Sequence, residues 1–167
     1  MWQEIWATIV SEFSDIPDIS TMTRITLRLA VAAVLGGILG YERELKARSA
    51  GVRTHMLVAI GAALFVVGPL QAGMPLSDMS RILQGIVQGI GFLGAGAIIV
   101  RTAQQQIQGL TTAANIWATA GIGVVAGLGL EATAVMATFI VLMILAVVPF
   151  VIPSTDQTSV DRNDQET

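Results

Sequence analysis

The run Leu29-Ala30-Val31-Ala32-Ala33-Val34-Leu35-Gly36-Gly37-Ile38-Leu39-Gly40-Tyr41 carries no charge, and it then meets Glu42-Arg43-Glu44-Leu45-Lys46. Counted from Ile25 to Tyr41, it approaches the roughly 20 residues a helix needs to cross a hydrocarbon core about 30 Å thick. Lipid offers no water to unpaired backbone groups, so such a segment must form a helix. Four further apolar runs follow, over 56–72, 82–100, 110–130 and 132–152. Only Glu131 separates the last two. One helix across both would overrun a bilayer, so a tight turn is predicted there.

Composition agrees with this reading. Of 167 residues, 53% are hydrophobic and 13% charged, against about 25% charged in an average soluble domain. The 17 glycines suit close helix packing in lipid. Gly36 and Gly40, Gly85 and Gly89, and Gly123 and Gly127 form small-xxx-small pairs, read as packing faces that also permit self-association. Gly89, Gly91 and Gly94 have the spacing GxGxxG, but without a preceding strand and an acidic ribose ligand they are read as packing residues, not a dinucleotide site. No P-loop is present. With one His and no Cys, and no carboxylate pair in the spans, the chain offers no nucleophile and base, and neither enzymatic activity nor a cofactor is expected. The net charge of −3, with basic residues spread along the chain, argues against nucleic acid.

The predicted architecture is an all-α integral membrane protein with a bundle of about five transmembrane helices over 24–153. An amphipathic segment over 1–23 precedes it and a polar, disordered tail over 154–167 follows. In the first segment Trp2, Ile5, Trp6, Ile9, Val10 and Phe13 recur at helical spacing, the pattern of an interfacial helix. Arg43, Lys46, Arg48 and Arg53 gather in one loop region, which the positive-inside rule puts in the cytoplasm. Five spans then leave the N-terminus outside and the C-terminus inside.

Polar residues within the spans need hydrogen-bond partners. Gln84 and Gln88 lie one turn apart on the third span, and Thr111, Asn115 and Thr119 make a stripe on the fourth. These sets are expected to face each other or a polar cleft. Arg28 is expected to snorkel outwards. At the loop, Glu42 should meet Lys46, and Glu44 should meet Arg48, at i, i+4. Arg53, Thr54 and His55 stand at the mouth of the second span, where free amides would donate to an anion or to a carboxylate from Glu42 or Glu44. His55 reads as a cap or interfacial group ahead of a metal ligand, and the spacing names no metal ligand set.

The ordered motifs Gly40-Tyr41-Glu42-Arg43-Glu44, Ala50-Gly51-Val52-Arg53-Thr54-His55, Gly89-Ile90-Gly91-Phe92-Leu93-Gly94-Ala95-Gly96, Gly109-Leu110-Thr111-Thr112-Ala113-Ala114 with Trp117, and Gly127-Leu128-Gly129 resemble the MgtC/SapB family of bacterial membrane proteins. The resemblance covers roughly 24–152. It implies a multi-pass inner-membrane protein linked to growth at low magnesium and, in pathogens, to survival inside host cells. It also implies regulation of other membrane machinery, including the proton-translocating ATP synthase and magnesium importers, although the family was long labelled as magnesium transport. Carried over by motif, the functional positions are Glu42, Arg43, Glu44, Arg53, Thr54 and Asn115. Some relatives have Asn at the positions of His55 and Thr111, and longer ones add a cytoplasmic C-terminal domain that this short form is expected to lack. The expected partners are the lipid bilayer, other membrane proteins and a second copy of the chain. A magnesium or other cation transporter is the alternative, and a structural scaffold the second. Because Mg²⁺ demands oxygen ligands and no Asp or Glu lies near a predicted midplane, regulation is favoured over transport.

Overall fold

The computed structural model describes residues 1–99 and 109–151. The order of elements is α1 (Trp2–Glu12), α2 (Ile19–Leu45), α3 (Val52–Gln71), a 3-10 turn (Leu76–Asp78), α4 (Met79–Ile99), α5 (Leu110–Gly127) and α6 (Glu131–Val151). Helices α2 to α6, with the 3-10 turn leading into α4, are long and apolar enough to give five membrane spans. The chain is therefore an all-helical, multi-pass membrane protein. Helix α1 buries none of its residues, and Trp2, Ile5, Trp6, Ile9, Val10 and Phe13 are all exposed, as an interfacial helix requires. The sequence expectation of a disordered tail falls outside the described residues.

The helix ends explain the turns. Asp18 caps α2 by accepting from the Thr21 amide at 2.7 Å, and this bond holds the Asp18 carboxyl below its ordinary value. At the end of α5, Leu130 N–H donates to Val125 O and Gly129 N–H to Ala126 O, the paired bonds of a Schellman motif. Gly129 stands at φ +83, a left-handed conformation that glycine adopts without strain. This is the tight turn before Glu131. The same pair of bonds ends α2, Arg48 to Arg43 and Ala47 to Glu44, but there the left-handed residue is Ala47, at φ +50.

Helix α3 is the axis of the bundle, with α2 and α5 packed against it and against each other. Small residues make that possible. A Cβ on Gly36 would lie 2.6 Å from the His55 carbonyl oxygen, and one on Gly40 2.6 Å from Val52 Cα. On α5, a Gly123 Cβ would strike the Ala59 carbonyl and a Gly127 Cβ would lie 2.8 Å from that of Ala63. Each contact is backbone against side-chain-free surface, the approach that lets dispersion drive helix association in lipid. Ala32, Leu35, Leu39, Ala59, Ala63, Ile122, Ala126 and Ala134 fill the centre. Helix α4 packs chiefly on α5, and α6 closes the bundle against α5 and α2.

The glycines of α4 correct the sequence reading. Nothing lies within 4 Å of a Cβ placed on Gly85, Gly89 or Gly91, and Gly94 meets only Ala113 Cβ at an ordinary 3.6 Å. The same spacing that brings α2 and α5 onto α3 here faces outwards. Gly85 and Gly89 instead line an apolar cleft of about 590 Å³ between α3 and α4, with Gly61, Phe65, Ile86 and Leu93 among its walls.

Candidate functional site

Two polar centres lie at opposite rims of the bundle. At the rim where α2 ends, Glu42 forms an ion pair with Arg43 Nε, and its other oxygen stands 2.6 Å from Lys46 Nζ. Arg43 is only 3% exposed. Burying a guanidinium is costly, and the adjacent carboxylate offsets that cost. Lys46 Nζ also donates to the Leu145 carbonyl at 3.0 Å. That carbonyl is available because Pro149, four residues on in α6, has no N–H to give it. The proline therefore opens an acceptor that ties α6 to the end of α2.

Glu44 performs a different task. Its Oε2 accepts from the Val52 amide at 2.9 Å, so the carboxylate caps α3, where the helix dipole favours negative charge. The same oxygen lies 2.6 Å from where a Cβ of Gly51 would sit. Gly51 is thus required by the cap. Of the two carboxylates expected at this helix mouth, Glu44 is the one that reaches it.

One turn into α3, His55 is fully buried and Asn115 of α5 is 3% exposed. His55 Nδ1 lies 2.9 Å from the Gly51 carbonyl, and Nε2 lies 2.9 Å from Asn115 Nδ2. A carbonyl can only accept, which assigns the proton to Nδ1 and leaves Nε2 to accept from the Asn115 amide. The histidine is therefore held as one neutral tautomer. Asn115 Oδ1 is buried with no protein partner. Thr119 donates to the Asn115 carbonyl at 2.8 Å. The ion pair at the end of α2 and the His55–Asn115 pair near the start of α3 lie at the same rim of the bundle.

The structure brings together Glu42, Arg43, Glu44, His55 and Asn115 but not the other residues read as functional. Arg53 and Thr54 are exposed beside the centre. Gln84 and Gln88 lie on the outer face of α4 and do not face Asn115. Thr111 is exposed, and its neighbour Thr112 is buried in its place. Glu44 does not reach Arg48, because α2 stops at Leu45 and Glu44 is turned towards α3. Sequence reasoning missed Lys46 as a link to α6, although Pro149 signalled a free carbonyl at Leu145.

At the other rim, Arg28 does not snorkel. Its Nη1 donates to the Gly127 carbonyl at 3.1 Å, capping the end of α5, and its guanidinium covers Gly129. Among the described residues, the buried polar side chains are Arg43, His55, Thr112, Asn115, Thr119 and Thr138.

Comparison with known proteins gives a match to the MgtC family over residues 29–152. The chain is 41% identical over 133 residues to Protein SrpB of Synechococcus elongatus, covering 73% of each. It is 43% identical over 128 residues to the Escherichia coli K12 protein named "Putative magnesium transporter YhiD", covering 72% of this chain and 59% of that one. It is 46% identical over 116 residues to Protein MgtC of Salmonella typhimurium, covering 70% of this chain and 48% of that one. The match thus spans about half to three-quarters of these relatives' lengths. No solved structure matches significantly.

Proposed function

The chain belongs to the MgtC family, and from that premise we propose that it serves magnesium homeostasis in the bacterial inner membrane by acting on other membrane proteins, without carrying the ion itself. The observation that supports this reading is the distribution of buried polarity. The centre at Glu42, Arg43, His55 and Asn115 is confined to one rim. Between it and Arg28 at the other rim, the interior is occupied by Ala32, Leu35, Ala59, Ala63, Ile122 and Ala126, and the buried Thr119 and Thr138 hydroxyls donate to carbonyls of their own helices. A magnesium path needs oxygen ligands or room for a hydrated ion, and an alanine-packed interior provides neither. Among the described residues, no three His, Asp or Glu side chains gather where a metal could be held.

The outer face of α4 supports a protein partner. Gln84 and Gln88 are exposed there one turn apart, beside the apolar α3–α4 cleft. An amide pair in lipid is costly and gains hydrogen bonds when another helix covers it. Transport remains the second reading because the E. coli relative is named for it and Asn115 Oδ1 is an unpartnered oxygen inside the bundle.

The deciding experiment is magnesium uptake into liposomes holding the purified protein, with empty liposomes and Asn115→Ala as controls. No flux from folded protein, together with crosslinks from Gln84→Cys or Gln88→Cys to other membrane proteins in cells, is the expected result. Saturable flux lost in Asn115→Ala would overturn the proposal and make the polar centre part of a pathway.

A further inference from the structure

We propose that Arg24 and Arg28, at the rim where α2 begins, form a binding site for a phosphate-bearing anion. The two residues stand one turn apart on α2 and line a cleft of about 250 Å³ together with Thr21, Ile25, Val67, Leu70 and Gln71. Nothing in the centre around Glu42 uses it. From Arg28 to Arg43 is fifteen residues of α2, or about 22 Å of helix, so the two polar sites sit at opposite faces of the bundle.

Neither arginine of the cleft is ion-paired. No carboxylate among the described residues lies within 4 Å of either guanidinium. Arg28 spends Nη1 on the Gly127 carbonyl, while its Nε is buried without a partner. Arg24 has only the Ser20 hydroxyl, at 3.3 Å. Asp18 is the acid near enough to act on Arg24, but its two oxygens accept from the Thr21 amide and hydroxyl. The end of α5 contributes about half a negative charge, and the end of α3, at Gln71, another half. Asp18 adds a negative charge beside the cleft, but no carboxylate stands among the residues that line it, so the two arginines meet a pocket with no acid of its own. Guanidiniums bind phosphate oxygens through paired, charge-assisted hydrogen bonds. At a membrane rim that phosphate is either the headgroup of an anionic lipid or a free ion from the adjoining solution. The apolar walls Ile25, Val67 and Leu70 suit a headgroup with its chains alongside the helices.

The test uses the full-length protein in a neutral detergent. Its unfolding temperature is measured during titration with inorganic phosphate, and separately with phosphatidylglycerol against phosphatidylcholine at equal mole fraction. Arg24→Gln is the informative variant, because Arg24 is exposed and caps no helix, whereas Arg28→Gln would also uncap α5. Arg81→Gln, an exposed charge outside the cleft, is the control. A saturable rise of a few degrees is expected, retained in Arg81→Gln and about tenfold weaker in apparent affinity in Arg24→Gln. A rise with phosphatidylglycerol alone assigns the site to a lipid headgroup, and a rise with both assigns it to phosphate from either source. A rise with phosphate alone assigns it to the free ion. No rise with either probe, or an equal rise in Arg24→Gln, overturns the proposal.

Discussion

His55 and Asn115 show how one contact fixes several states. The Gly51 carbonyl assigns the proton to Nδ1, Nδ1 makes Nε2 an acceptor, and the Asn115 amide must then turn its NH2 inwards. Asn115→Ala leaves Nε2 buried without a donor, and a loss of about 1–3 kcal/mol is expected. Replacing both residues by Leu removes both ends of the contact, so the double variant should be more stable than the summed losses of His55→Leu and Asn115→Leu predict. Unfolding in detergent of the unsubstituted protein, His55→Leu, Asn115→Leu and the double variant, analysed as a cycle, measures this. Strict additivity would mean that the two side chains do not interact. How this pair escaped the sequence is instructive. Asn115 was legible as a polar residue that needed a partner, but the stripe drawn through Thr111, Asn115 and Thr119 steps by four residues and drifts around the helix. The buried face follows steps of three and four, through Thr112, Asn115, Thr119 and Gly123. His55 was legible as a cap, and the feature that joins it to Asn115 is the approach of α5 to α3, which no single helix encodes.

Helix packing turns on which glycines meet a neighbour. Gly123→Ala drives a methyl into the Ala59 backbone, which cannot retreat as a side chain would, and about 1–3 kcal/mol of destabilisation is expected. Gly91→Ala meets nothing and gains helix propensity, up to about 1 kcal/mol. Thermal unfolding of both variants is the measurement, and a similar loss in each would contradict the outward placement of α4. The small-xxx-small spacing was visible in all three helices. It describes a smooth face, and whether another helix covers that face depends on where the element sits in the bundle. The end of α2 yields a second expectation. Ala47 holds the left-handed position of its Schellman motif at φ +50, a conformation that costs a Cβ-bearing residue about 1–2 kcal/mol. Ala47→Gly relieves this at the expense of unfolded-state entropy, for a net gain of up to about 1 kcal/mol. A lowered unfolding temperature would show that the turn is not strained. The turn directly follows Glu42, Arg43 and Glu44, so relieving it also tests whether their geometry depends on the strain.

For the whole molecule, the remaining question is which rim faces the cytoplasm. Helices α2, α4 and α6 begin at the rim of Asp18, Ser77 and Glu131, while α3 and α5 begin at the rim of Glu42. Five spans leave the start of α2 and the end of α6 at opposite rims. The rim of Glu42 carries Arg43, Lys46, Arg48 and Arg53, against Arg24, Arg28 and Arg81 at the other. The difference is larger than the count suggests. Arg28 is tied to the end of α5, whereas Lys46, Arg48 and Arg53 are exposed in or beside one short loop. From the positive-inside rule we propose that the Glu42 rim faces the cytoplasm and that α1 lies on the outer surface. The chain has no cysteine, so a single introduced thiol reports its side without background. Ser49 and Ser77 are both exposed, one at each rim. Ser77→Cys should react with a membrane-impermeant maleimide in spheroplasts, and Ser49→Cys only after the membrane is permeabilised. The reverse pattern would invert the orientation, placing the phosphate site of Arg24 and Arg28 in the cytoplasm and the Glu42–Asn115 centre outside. A regulator of other membrane proteins would then have to meet its partners from the opposite face.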